Sequence, residues 1–183
     1  LIQVIDALVA PARWISWLTL PLIATILLSI ILAKMGFNAL ITWETPIPVL
    51  GRGITVNSLF DLQWYIFALL VLFGGIWALR DDRHVSVDFL ALQMSPRQRL
   101  WVRMLGDVVF LLPFCVIMAW YGWSFAEVAW RTAESSTQGG LNSRWLIKAV
   151  LPLTFGMMAL LGLTRAIGTA TQLIRGTVNE DTR

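Results

Sequence analysis

Few side chains in this sequence are equipped for covalent or metal chemistry. The 183 residues include one histidine, His84, and one cysteine, Cys115. Structural zinc takes four ligands and a haem iron in a protein of this size calls for paired axial residues, so one chain with this inventory builds neither. A nucleophilic triad needs a histidine beside the attacking group. Ser86 and Asp88 flank His84, and His84 and Asp88 stand at helical spacing, but they read as local partners in a structural or lipid-facing role. Gly51-Arg52-Gly53 is not a phosphate loop, because no Gly-Lys-Ser/Thr follows it. Cys115 lies inside an apolar run, where it reads as a small buried hydrophobe. No cofactor is expected. The remaining charged constellation is Arg103 with Asp107, four residues apart at the edge of an apolar run, which reads as a structural charge pair.

These residues sit in or between four nearly uncharged runs, 14–33, 62–79, 108–126 and 149–164. A helix rises 1.5 Å per residue, so roughly 20 apolar residues cross about 30 Å of hydrocarbon, and the runs reach or nearly reach that length. The composition agrees, with 57% hydrophobic residues, 14% charged residues and a mean hydropathy of +0.72. A soluble monomer of this size would expose too much apolar surface. The expected fold is an all-α membrane protein: one four-helix domain over 1–183, with spans at about 14–36, 59–79, 100–126 and 145–168. Short interfacial helices are expected at Leu1 to Ala10 and Val85 to Met94. No secretory signal with a small-residue cleavage site is apparent.

Charge placement gives the expected orientation. With four spans, both termini and the 80–103 connection share a side holding nine basic residues, and the other side holds Lys34, Arg52, Arg131, Arg144 and Lys148. The positive-inside rule then makes both termini cytoplasmic. The pI of about 9.6 and net charge of +3 do not point to nucleic acid, because the basic residues lie beside helix ends. Phospholipid headgroups are their expected partners. Ten tryptophans mark depth: Trp14, Trp17, Trp77 and Trp101 toward the cytoplasm, and Trp43, Trp64, Trp120, Trp123, Trp130 and Trp145 toward the far side, unless they fill gaps between helices.

Local signals refine the elements. Ser58 with Asp61 reads as a capping box opening the second span, and Ser95-Pro96-Arg97-Gln98 as a fuller one, so the third helix begins well before its apolar run. Pro113 can kink that helix. The 36–57 connection, with Pro46-Ile47-Pro48, reads as a compact turn-rich loop without a folded domain. Gly162, Ala166 and Ala170 recur every fourth residue, as do Gly74 and Ala78, a spacing that lets helices approach closely within the bundle or against a partner. Glu127, Arg131, Glu134 and Arg144 on the periplasmic side read either as a solvated connection or as a docking surface. The spans lack the embedded charges that mark transport routes, which points to an accessory or scaffold subunit.

Asp61-Leu62-Gln63-Trp64-Tyr65-Ile66-Phe67, Ala78-Leu79-Arg80 and His84-Val85-Ser86-Val87-Asp88 resemble the small membrane subunit (DctQ type) of tripartite ATP-independent periplasmic (TRAP) transporters. Ser95-Pro96-Arg97, Leu111-Leu112-Pro113-Phe114 and Arg144-Trp145-Leu146-Ile147-Lys148-Ala149-Val150-Leu151-Pro152 are similar to the same family, and the likeness runs from about Trp14 to Gly168. It implies a bacterial inner-membrane subunit that pairs with a large permease carrying the sodium and substrate sites, fed by a periplasmic binding protein with an organic acid or similar solute. The rival class is a self-contained four-helix exporter, which would need a Glu embedded in the first span, where there is none. A membrane enzyme lacks a catalytic cluster.

Overall fold

The computed structural model describes residues 14–81 and 94–175. The expected interfacial helices at 1–10 and 85–94, and the residues His84, Ser86 and Asp88, fall wholly or almost wholly outside that range. Four helices are each long and apolar enough to cross a bilayer: α1 (Ser16–Met35), α2 (Val56–Arg80), α3 (Pro96–Arg131) and α4 (Trp145–Arg175). Their ends run past the apolar runs. The 36 residues of α3 extend about 54 Å, so its first turns lie outside the hydrocarbon, as the position of its cap implied.

The Ser95 box forms as read: the Ser95 hydroxyl accepts from Gln98 N, and Gln98 Oε1 accepts from Ser95 N, with Pro96 opening the helix. The box at the start of α2 differs from the expectation. It is made by Thr55 and Ser58, each hydroxyl accepting from the other residue's backbone N–H at 3.2 Å. Thr55 is extended (φ −105°, ψ 170°), which suits an N-cap. Asp61 is thereby left for another task.

The all-α expectation also needs correcting. Ala39–Ile47 (β1) and Gly51–Thr55 (β2) form an antiparallel hairpin between α1 and α2, with register shifts on either side of its central pairs. The β-branched and aromatic residues Ile41, Thr42, Trp43 and Ile54 favour strands. Trp43 Nε1 donates to Gly51 O across the ribbon at 2.8 Å. The two glycines around Arg52 serve this geometry: Gly51 has φ +67°, and a Cβ on Gly53 would lie 2.6 Å from Ile41 O.

The helices are joined in series. α1 rests on α2, α2 on α4, and α3 lies along α4 in the most extensive interface. Phe73, Ile76 and Leu79 of α2 meet Leu161 of α4 in the buried core, with Leu111 of α3 and Ile15 packed against them. On α1, Ser29 is the buried residue, and its bond explains why: Gln63 Nε2 of α2 donates to Ser29 Oγ and to Thr25 O, both at 3.0 Å. Such an interhelical bond is worth about 0.6 kcal/mol on average in a membrane.

Pro113 acts one turn before its own position. It has no N–H and its ring crowds the carbonyl four residues back, and the helix widens into a π turn over Gly106–Leu111 before resuming at Leu112. At the π turn and beyond it, α3 and α4 approach closely. A Cβ on Gly122 would lie 2.5 Å from Leu151 Cδ2 and 3.2 Å from Pro152 Cδ, and one on Gly162 would lie 2.9 Å from Leu111 Cδ2. Gly74 faces open space.

This contrast yields a test. Gly122→Leu and Gly162→Leu should each lower the stability of the isolated chain in detergent by about 1–3 kcal/mol, the usual cost of overpacking. Gly74→Leu should leave its melting temperature unchanged. Equal melting of all three would mean that α3 and α4 do not meet where the glycines lie.

Candidate functional site

Two polar nodes, one at each end of the helices, fix the chain's shape, and the surfaces between them are left for lipid or partners. The first node lies on the side of the hairpin. Asp61, one turn into α2, accepts a bond from Leu141 N at 2.9 Å. Asn57 Nδ2 donates to Gln138 O, Thr55 Oγ1 to Gly139 O, and Asn142 N to Val49 O at 2.7 Å. The α3–α4 connection is thus tied to both α2 and the hairpin. Gly140 has no room for a side chain, because a Cβ there would run into the Asp61 carboxylate.

Within this connection, Lys148 Nζ of α4 donates to Glu134 Oε2 and lies 3.9 Å from the centre of the Phe125 ring. Arg144 Nη1 stands 3.9 Å from Glu134 Oε1, and Arg144 N donates to Glu134 O at 3.0 Å. Trp130 and Trp145 meet edge to face at 4.5 Å across the same junction. The four charges read as one surface therefore fall into two pairs. Glu134 and Arg144 are two-thirds buried and belong to the α3–α4 junction. Glu127 and Arg131 form an exposed i,i+4 pair on the last turns of α3, the kind worth about 0.3–0.5 kcal/mol.

The second node lies on the side of the chain ends. Arg165 of α4 donates from Nη1 to Leu79 O in the last turn of α2. Its Nε stands 3.5 Å from Asp107 Oδ2, in the first turn of the π segment of α3. One guanidinium thereby joins three helices. Asp107 is 6% exposed, and a carboxylate so placed needs a cation and hydrogen-bond donors to offset its lost hydration. Spacing along the sequence pointed to Arg103. Arg165 lies 58 residues beyond Asp107, outside the reach of a periodicity argument.

The small residues on α4 are mostly inward. Gly162 and Ala166 are buried and Ala170 half-buried, whereas on α2 Gly74 is exposed and Ala78 half-buried. Sequence reasoning does not single out Gln63, Lys148, Gly122 and Arg165 as contact residues, and it reads Asp61 as a cap. Gln63 gave a signal, since a lone amide in an otherwise apolar span is costly without a partner. Among the described residues, no group of three His, Cys, Asp or Glu is placed to hold a metal. Cys115 is fully buried.

Removing Arg165 should therefore be worse than removing the whole pair. Arg165→Leu leaves Asp107 buried without that cation and should cost roughly 3 kcal/mol, at the low end for a broken buried pair. The double variant Arg165→Leu with Asp107→Leu should recover more than half of the loss in a detergent melt. A double variant as unstable as the single one would remove the pair from the three-helix joint.

The described features are helix interfaces joined by polar atoms, a structured cap on one side, and long apolar faces left uncovered. Residues 47–172 match the family of tripartite ATP-independent periplasmic transporters, DctQ component. That match begins in the hairpin and takes in both polar nodes. No individual curated protein matches the chain. With more than half of its length matched, the chain belongs to the DctQ component family, the small membrane component of tripartite ATP-independent periplasmic transporters.

Proposed function

We propose that this chain is the accessory subunit that braces a large permease in the bacterial inner membrane, in a sodium-coupled system importing an organic acid or similar small solute. Both termini are cytoplasmic in this reading, and the hairpin with the α3–α4 connection faces the periplasm, where a binding protein arrives. The sodium coupling, the solute class and the binding protein follow from the family likeness. The bracing role rests on this chain's own residues.

One observation carries that role. Phe60, Trp64, Phe67, Val71 and Gly74 form an exposed stripe on α2, and the half-buried Ala78 continues it. The steps alternate four and three residues, the period that seats one helix against another. The stripe covers 18 residue steps, or about 27 Å, nearly the whole hydrocarbon thickness. The large aromatics at one end and the small Gly74 and Ala78 at the other suit a helix that fills a gap at the hairpin side and comes close at the opposite side. Gln63, Asp107 and Arg165 meanwhile are engaged between this chain's own helices. That suits a support better than a path for solute.

Copurification with the tagged chain tests the reading. Gly74→Leu, which has open space in the isolated subunit, should reduce the retained large permease at least tenfold, and Trp64→Ala should do the same. Full retention in both variants would point the stripe at lipid instead.

Orientation has its own test, in a Cys115→Ser background. A cysteine at the exposed Thr137 should react with an impermeant thiol reagent from the periplasm, and one at the exposed Arg97 only after lysis. The reverse pattern would invert the subunit.

A further inference from the structure

Between α3 and α4 lies a groove of about 810 Å³, walled by Val116, Trp120, Trp123 and Glu127 on one helix and by Ala149, Gly156 and Ala159 on the other. We propose that it holds a single phospholipid from the leaflet on the hairpin side, one whose zwitterionic headgroup carries a primary ammonium.

The length of the groove is the first reason. From Val116 to Glu127 is 11 residue steps and from Ala149 to Ala159 is 10, about 15–17 Å along each helix. That is half of the roughly 30 Å of hydrocarbon, the depth of one leaflet. The floor then changes character. Leu153 intrudes on this wall, but its small residues Ala149, Gly156 and Ala159 give way to the exposed and bulky Leu160, Leu163 and Ile167, so the small-residue track stops near the middle of the membrane. A transmembrane helix would need that track to continue through both leaflets. An acyl chain does not.

The chemistry of the open end is the second reason. Glu127 closes the groove at the hairpin side, and the Arg131 guanidinium is bonded to it. One carboxylate and one guanidinium, paired at headgroup depth, match an ammonium and a phosphate carried by the same molecule. An anionic headgroup would satisfy Arg131 and be repelled by Glu127. Trp120 and Trp123 supply indole faces to the upper part of the chain, where ring and interface meet. This site is separate from the α2 stripe, and neither reading depends on the other.

Native mass spectrometry of the full-length chain in detergent, titrated with dioleoyl phosphatidylethanolamine or dioleoyl phosphatidylglycerol, tests it. The wild-type chain should retain one phosphatidylethanolamine in preference to phosphatidylglycerol. A Cβ on Gly156 meets open space, so Gly156→Phe should fill the groove, keep its melting temperature in lipid-free detergent and lose retention at least tenfold. Should that variant fail to fold, Leu153→Cys in a Cys115→Ser chain, modified after folding with a bulky maleimide, blocks the same space and should lose retention equally. Glu127→Lys should switch the preference to phosphatidylglycerol. Undiminished retention in the blocked chain would overturn the proposal. So would a headgroup preference that Glu127→Lys leaves unchanged, or a crosslink from the unmodified cysteine at position 153 to a helix of the large permease.

Discussion

Two apolar helices gain nothing from leaving lipid for each other, so in a bilayer the arrangement of helices rests on close packing and on polar atoms that have nowhere else to bond. This chain applies that constraint with few residues. Gln63 ties α2 to α1, Asp61 ties α2 to the α3–α4 connection, and Arg165 ties α4 to α2 and α3. Each of these joins residues far apart in the sequence, and each would be unsatisfied or far less satisfied if the helices drifted apart. Glycines at the α3–α4 contact then bring the backbones close enough for dispersion to add to the bonds.

The division between rigid and open surfaces follows from the same contacts. α4 is the neighbour of both α2 and α3 and receives a polar tie at each end, through Lys148 on the hairpin side and Arg165 on the other. α1 touches α2 and is held there by Gln63, while Leu20, Ile23, Leu27, Ile30 and Ile31 remain exposed. A subunit built in this way has a stiff centre and a wide apolar perimeter. That arrangement fits the proposed bracing role, because a support must resist deformation while offering a broad area of contact.

Much of this was legible in the residues. Hydropathy located four spans, because lipid leaves a composition signal that no soluble core produces. Ser95-Pro96-Arg97-Gln98 located the true start of α3, because capping is a local interaction between residues three apart. Where the pattern was weaker, local reading failed. Ser58 is in a capping box, but with Thr55, and the choice between partners three residues before or after depends on where the chain leaves the hairpin. The hairpin itself was hidden by Pro46, Pro48 and the glycines, which read as a loop although the strand formers Ile41, Thr42, Trp43 and Ile54 lie among them. The Asp107–Arg165 contact had no local signal at all, since it depends on how α3 and α4 are rotated, and the π turn before Pro113 helps set that rotation.

The two uncovered apolar surfaces differ in ways that composition alone does not convey. Both are rich in aromatic and small residues, and a hydropathy profile treats them alike. The α2 stripe keeps one period for about the full thickness of the hydrocarbon, whereas the α3–α4 groove stops after about one leaflet and ends at a charged pair. A partner helix is a rigid rod that must be matched along its whole length. A lipid is half as long, has a fixed depth set by its headgroup, and needs charge complementarity at one end only. Length and the chemistry of the end therefore distinguish the two surfaces where hydrophobicity does not. By those criteria the α2 stripe suits a partner helix and the cleft between α3 and α4 suits a lipid, as proposed above.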